Sequence, residues 1–276
     1  MTYASMMVHL EIGRPNAALL EVAGNLAARF HSNLTGVAAS QLAQLIYGSE
    51  YLPNDILQEQ HEAVRKGLQS LEAEFRNALG KHAGNLQWRA AATYSSPTDY
   101  FAQQARIADL FIVGADRDAP RFGASREVDI GALILQIGRP VLIVPAGVHA
   151  PGFDHVMLAW RDAREARLAA SLALPFLKVA RKVHVVELVH DDDLTDAYAN
   201  LKEVRSWLGM HGVMTEPIAS VSKGNEAEEL NAIAEKYQVD LLVAGAYGHS
   251  RLREAVLGGV TRDLLLHPQR CTLVAH

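Results

Sequence analysis

The feature that most constrains this chain is that it repeats itself. Asp109-Leu-Phe-Ile-Val-Gly114-Ala115 matches Asp240-Leu-Leu-Val-Ala-Gly245-Ala246. The offset of 131 residues that carries Asp109 onto Asp240 also carries Arg139-Pro-Val-Leu-Ile-Val onto Arg270-Cys-Thr-Leu-Val-Ala, with no gap between the two matches. Each copy reads as a strand, a connection with a helix, and a closing strand. Any two βαβ units look alike, but a gap-free match anchored at both ends favours duplication.

Around the repeat, short apolar runs alternate with longer amphipathic segments. The runs are Met6–Leu10, Leu34–Ala38, Leu86–Ala92, Asp109–Ala115 and Val141–Pro145, then His155–Trp160, Val183–Val189, Val213–Ala219, Asp240–Gly245 and Thr272–Ala275. Continuous apolar strands of this length belong to a sheet covered on both faces, hence a parallel one. Ala166, Ala169, Ala170, Ala173, Leu174 and Leu177 recur at helical spacing and predict a helix over Ala163–Ala180; Leu230, Ile233 and Ala234 predict another over Glu226–Tyr237. A long helix is expected from near Asp55. Strand–helix alternation of this kind specifies an α/β fold with doubly wound sheets. Pro145-Ala-Gly147-Val-His-Ala-Pro151-Gly152 has the composition of a linker. The expected domains are therefore 1–147 and 152–276.

Composition narrows the function. Apolar residues make up 49% and charged residues 21%, which fits a globular chain. Net charge is −5, from 26 Lys and Arg against 31 Asp and Glu. A mildly acidic chain lacks the basic footprint that nucleic acid requires. No apolar run approaches the roughly 18 residues needed to span a bilayer. Met1–Leu10 shows no basic segment followed by an apolar core, so no secretory leader is expected. Cys271 is the single cysteine, which excludes an internal disulfide and fits a reducing compartment. These features predict a cytoplasmic location, with neither nucleic acid nor membrane as partner.

The sharpest functional signal is Ala244-Gly245-Ala-Tyr-Gly248-His249-Ser250-Arg251-Leu-Arg253-Glu-Ala-Val-Leu-Gly258-Gly259-Val260-Thr261. Gly245 ends a predicted strand, and a helix over Val260–Leu266 is expected to follow. Glycines at a strand end allow positive φ and close approach of a ligand. A helix that starts after a glycine pair presents free N–H groups and the positive end of its dipole, which suits a phosphate. Thr261 adds a hydroxyl in the first turn. Ligands of parallel sheets bind at the carboxyl ends of the strands, where Gly245 lies. The glycines alone also serve for turns, and both GxxxxGK[ST] and GxGxxG are absent.

The spacing Gly245-x-x-Gly248, nine residues, Gly258-Gly259-Val260-Thr261 resembles the nucleotide-binding signature of the universal stress protein family. Over the whole chain it resembles the tandem bacterial form. The resemblance implies two Rossmann-like domains, each a five-stranded parallel sheet with helices on both faces. It implies an adenine nucleotide, ATP or AMP, in the C-terminal domain, with Mg²⁺ if the ligand is ATP. Ala244, Gly245, Gly248, Gly258, Val260 and Thr261 occupy the family's places. Gly259 stands where the family carries serine or threonine, so one side-chain contact is missing while its N–H remains. The first strand of the family ends in an aspartate near the nucleoside. Here Ala159-Trp160-Arg161-Asp162 puts Arg161 at that place, with Asp162 one residue on; the reversed charge either favours a phosphate over a sugar hydroxyl pattern or removes the family's ATP binding. Leu188 matches a residue whose backbone meets adenine. His249, Ser250 and Arg251 lie inside the loop, where Arg251 and Arg253 either clamp phosphate oxygens or belong to a solvated loop. The closing strands, Val141–Val144 and Thr272–Ala275, resemble family strands that pair across domains, which predicts an intramolecular pseudo-dimer and leaves a homodimer open.

At the offset of 131, Gly248 falls on Arg117, Gly258 on Glu127, Gly259 on Val128 and Thr261 on Ile130; only Gly114 survives. The N-terminal domain is therefore expected to bind no nucleotide at the family site. Other candidates read blandly. His190-Asp191-Asp192-Asp193 has no chelating spacing and reads as a solvated loop. His184 reads as a satisfied sheet histidine and Cys271 as a buried structural thiol. Trp160 could stack on a base or serve the core. Tyr47-Gly-Ser-Glu-Tyr-Leu-Pro53 reads as a partner-facing loop. No metal site and no catalytic residue are assigned. Two rival readings remain: a nucleotide-free interaction module with unknown protein partners, and a related adenine-nucleotide hydrolase-type enzyme. The enzyme would need a pyrophosphate loop that Arg161-Asp-Ala-Arg164 does not supply.

Overall fold

The computed structural model describes residues 2–42, 54–80, 85–115, 128–148, 151–190, 194–247 and 268–276. The chain divides into two compact units, one built on Tyr3–Gly114 and closed by the helix Ile130–Ile137, the other on Gly138–His276.

The N-terminal unit contains strands β1 (Ser5–His9), β2 (Asn33–Gln41), β3 (Leu86–Thr93) and β4 (Leu110–Ala115), with helices α1 (Ala17–Phe30), α2 (Asn54–Leu79), α3 (Pro97–Gln104) and α4 (Ile130–Ile137). Its strands lie in the order β3-β2-β1-β4, all parallel. The expected fifth strand, β5 (Val141–Pro145), exists but groups with the other unit.

The C-terminal unit follows with β6 (His155–Trp160), α5 (Arg164–Leu172), α6 (Leu174–Val179), β7 (Lys182–Val189), α7 (Thr195–Met210), β8 (Glu216–Val221), α8 (Glu226–Lys236), β9 (Leu241–Gly245) and β10 (Cys271–Ala275). Five parallel strands run in the order β10-β9-β6-β7-β8, as expected. β5 adds to β10 antiparallel, with Ile143 opposite Thr272 and Val141 opposite Val274. The expected pairing of these two closing strands is thus present.

Burial follows the sequence pattern. Val141, Leu142 and Ile143 of β5, Val156, Met157 and Leu158 of β6, and Leu241, Leu242 and Val243 of β9 are almost wholly inaccessible. Strands apolar on both faces need helices on both faces, which is what a doubly wound sheet supplies.

Two segments differ from the sequence expectation. The helix Ala163–Ala180 breaks into α5 and α6 at Ala173, because Pro175 has no N–H to continue the ladder. The eighth strand begins at Glu216 rather than Val213. Gly212 adopts φ +80 and Val213 N–H donates to Leu208 O at 3.0 Å, a left-handed cap that ends α7 and uses up the first three residues of the apolar run.

The duplication has a structural signature. Asp109 Oδ2 accepts from Ala4 N–H at 2.9 Å and Ser5 N–H at 3.0 Å, where β1 begins. Asp240 accepts from Asp154 N–H at 2.9 Å and His155 N–H at 3.2 Å, where β6 begins. The repeated aspartate thus fastens the first strand in both units. Register extends the correspondence: Val8 pairs with Ile112 as Leu158 pairs with Val243. Leu10 therefore stands where Trp160 does, and Glu11 where Arg161 does.

Candidate functional site

Parallel strands bring their carboxyl ends to one edge, and in the C-terminal unit those ends hold the candidate residues. Ala159 pairs with Ala244 of β9 on one side and with Val186 of β7 on the other. Side chains alternate from there. Ala159, Leu188 and Ala244 pack with Met157, Leu230 and Ala234 on the α8 face. Trp160, Glu187 and Gly245 project to the opposite face.

On the α8 face, the floor is small and apolar, with Ala159 and Leu188 only partly covered. Arg161 is exposed and forms no ion pair among the described residues, whereas Asp162 is engaged by Arg167 Nη1 at 2.6 Å. An exposed cation beside an apolar floor fits a ligand with a flat ring and an anionic group.

Gly245 owes its identity to something the sequence did not suggest. Its φ is not positive. A Cβ there would lie 2.6 Å from the backbone nitrogen of Ala166 and 2.6 Å from the carbonyl carbon of Glu165. The first turn of α5 therefore presses on Gly245 main chain, and the expected left-handed turn is replaced by a close helix–strand approach. Tyr247, two residues on, is the one in the left-handed region, at φ +62. Its ring meets His276 edge-on at 5.9 Å.

Gly248, His249, Ser250, Arg251, Arg253, Gly258, Gly259, Val260 and Thr261 lie outside the described residues, as do Asp191, Asp192 and Asp193. His190 is described; its Nε2 stands 3.5 Å from Glu226 Oε1. Tyr47–Pro53 is likewise outside.

The residue that sequence reasoning missed is Glu187. It registers against Trp160 and is 7% exposed. Asn200 of α7 hydrogen-bonds the carboxyl group, yet Oε2 has no partner among the described residues. Trp160 Nε1 is also buried without a partner among the described residues. Burial pushes the Glu187 carboxyl above the usual range, Asn200 opposes that shift, and Asp162 reinforces it while Arg161 opposes it. An acid inside the run Val-Val-Glu-Leu-Val was the available signal.

Elsewhere, Cys271 is fully buried and its thiol is pushed up to about 12, chiefly by desolvation, which makes it chemically inert. His184 is buried but not satisfied. Its Nδ1 comes within 3.3 Å of Glu216 Oε2 outside hydrogen-bonding geometry, and its ring rests on Tyr237 at 4.5 Å. Burial lowers its pKa, with Glu216 opposing.

In the N-terminal unit the matching edge is built differently. Leu10 and Ala38 replace Trp160 and Glu187, each 1% exposed. A Cβ on Gly114 would meet only Leu19 Cδ2 at 3.7 Å. α4 begins at Ile130, and Asp129 Oδ1 accepts from Ala132 N–H at 3.0 Å. A carboxylate thus holds the helix start, at the position that the offset of 131 matches to Val260.

Residues 211–276, the stretch that carries the glycine signature, match the model of the universal stress protein family. A universal stress protein of Synechocystis is 25% identical over 159 residues, 57% of this chain. That match spans 54% of the relative's length. Among solved structures, a universal stress protein of Archaeoglobus fulgidus superposes with a TM-score of 0.73 at 15% identity, covering 99% of this chain and 98% of its own. A putative universal stress protein of Pseudomonas aeruginosa gives 0.61 at 17% identity, covering 99% and 93%. At these identities the structures establish the fold. The resemblance read from the glycine spacing is borne out. Among the described residues no helix is long and apolar enough to cross a membrane.

Proposed function

We propose that the C-terminal unit binds an adenine nucleotide, ATP or AMP, and that the protein acts as a cytoplasmic stress sensor or regulator. The observation that carries this is the placement of the glycine signature. Gly245 closes β9, a strand flanked on both sides by parallel neighbours, and Gly248, Gly258 and Gly259 follow in the connection to the last strand. Main-chain N–H groups of Gly248, Gly258, Gly259 and Val260 would hold phosphates, with Thr261 donating its hydroxyl. His249, Ser250 and Arg251 would line the loop. Arg161 supplies an exposed positive charge at the end of β6, and Ala159 and Leu188 offer apolar surface for the base. Mg²⁺ would accompany ATP and offset phosphate charge.

No general base is assigned, so the reading is of binding rather than catalysis. The N-terminal unit takes no nucleotide at the matching place, where Asp129 caps α4 and Glu127 precedes it. The alternative of a nucleotide-free interaction module draws support from Met210 and Met214, which are 79% and 90% exposed and offer apolar surface to a protein partner.

Calorimetric titration with ATP and AMP, with and without Mg²⁺, tests the proposal. Saturable binding to the parent protein that is lost in Gly248→Val is the expected result. Absence of heat with either ligand in the parent would leave the interaction module.

A further inference from the structure

The open edge of the C-terminal sheet rests on a buried base that nucleotide binding does not use. β8 is the last strand and is bonded only to β7. Unlike β6, β7, β9 and β10, it holds no fully buried residue. A strand anchored so lightly belongs to the low-stability end of a fold. His184 lies under its amino end. It registers against Glu216, the first residue of β8, and is 2% exposed. Its Nδ1 is buried with no hydrogen-bond partner among the described residues, although Glu216 Oε2 stands 3.3 Å away. The ring rests on Tyr237 at 4.5 Å between centroids. The groups facing it come from each packed element: Glu216 from β8, Lys182 from its own strand, His155 from β6, and Tyr237 after α8. Lys236 Nζ in turn stands 5.2 Å from the Tyr237 ring. Burial opposes a proton on His184 most, Lys182 and His155 add to that, and Glu216 alone favours it. The Glu216 side chain is 63% exposed, so solvent weakens its pull.

We propose that protonation of His184 releases β8 from β7, so that this edge of the sheet opens in acid while Glu216 restrains it. Linkage sets the direction. With β8 in place the proton is disfavoured; with β8 detached the ring meets water and takes up the proton at the ordinary histidine value of 6.5. The closed edge is therefore fully favoured above that value and loses its advantage as pH falls towards the lowered value of the closed state. The neutral ring suits the contact with Tyr237, whereas the charged ring leaves a cation in a buried place. His184 belongs to the amino half of β7, away from the glycine signature at the carboxyl edge, so the release does not depend on a nucleotide.

Hydrogen exchange of the full chain without ligand, corrected for the intrinsic effect of pH, tests this between about pH 7.5 and 5.5. Exchange is read strand by strand because buried His9 gives global unfolding an acid response of its own. In the parent, β8 protection is expected to fall about three- to tenfold on acidification while β6 and β9 keep theirs. His184→Phe keeps a ring against Tyr237 and cannot titrate, so its β8 protection should stay level. Glu216→Gln removes the restraint and should deepen the fall. Protection that is level or rises in the parent, a fall shared equally by β6 and β9, or a fall that survives in His184→Phe overturns the proposal. Should His184→Phe not fold, the parent and Glu216→Gln decide alone: a local fall that is deeper in the variant supports the proposal, and equal falls overturn it.

Discussion

Gly114 and Gly245 are the same residue of a duplicated strand, yet they do opposite things. Gly114 is exposed and a side chain could be added with ordinary contact to Leu19. Gly245 is clamped by α5 backbone at 2.6 Å. Around them, Leu10 and Ala38 hold the register positions that Trp160 and Glu187 hold in the other unit, and Glu11 holds that of Arg161. What the units share is the staple: Asp109 and Asp240 each hold the opening N–H groups of the first strand. Duplication has kept the parts that build the sheet and let the parts at its carboxyl edge diverge. That division is expected where a scaffold is constrained by packing and a site only by its ligand.

The largest effect expected to separate the units is a response to acid. His9, at the carboxyl end of β1, is 5% exposed and rests on Phe101 at 4.5 Å. Desolvation lowers its pKa to about 4. A base depressed in the folded state favours folding above its unfolded value near 6.5 and loses that contribution as pH falls through about 4. At 1.36 kcal/mol per pKa unit the loss is about 3 kcal/mol. Urea denaturation at pH 7, 5 and 4 should show this slope, and His9→Gln should flatten it. The counterpart Ala159 cannot titrate. Glu187 acts in the opposite sense, since its raised carboxyl contributes stability below its unfolded pKa and loses it as pH rises through the folded one. An unchanged slope in His9→Gln would place the acid response elsewhere.

The glycines themselves come next. Gly245→Ala forces α5 away from β9 and should cost about 1–3 kcal/mol, as overpacking does. Gly114→Ala should stay within about 0.5 kcal/mol, as surface changes do. Equal costs would show that both glycines serve the backbone alone. The shared staple should give the reverse pattern. Asp109→Ala and Asp240→Ala each strand two backbone N–H groups and should cost similar amounts, about 1–3 kcal/mol. A large difference between them would mean that the units are less alike than their registers show.

Much of the architecture was legible because periodicity reports burial directly. All ten strands were visible as apolar runs, and the repeat located the copies of β4 and β9. Where the reading slipped, a local backbone effect had overridden the pattern: Pro175 broke a helix that its alanine stripe continued, and the αL cap at Gly212 delayed β8. β5 was legible as a strand and its pairing with β10 was expected from the family resemblance alone, but its grouping with the C-terminal unit was not legible, since strand pairing across the chain leaves no trace in local composition. At the site, the glycine spacing was readable because backbone approach constrains residue type. Gly245 was singled out for a turn and the approach of a ligand, and the structure adds a packed helix as a reason for its missing side chain, a contact that local sequence does not show. Glu187 was passed over because one acid in five apolar residues has no periodicity of its own; only the register against Trp160 gives it meaning.

The smallest expected effect concerns whether Asp129 blocks the N-terminal unit by its shape or by its charge. Its Oδ1 caps α4 through Ala132 N–H. Asparagine caps as well as aspartate, so Asp129→Asn should leave stability within about 0.5 kcal/mol, whereas Asp129→Ala should lose about 1 kcal/mol. Chemical denaturation of the two variants checks this. Inorganic phosphate then separates the two possibilities for the site. With the carboxylate neutralised and the cap kept, the helix start remains covered and phosphate should raise the melting temperature no more than in the parent. With the cap removed in Asp129→Ala, the free N–H groups and the dipole of α4 are uncovered, and any phosphate-dependent stabilisation should appear there first. If phosphate stabilises Asp129→Asn, charge alone separates the two edges, and the N-terminal unit is one substitution from an anion site.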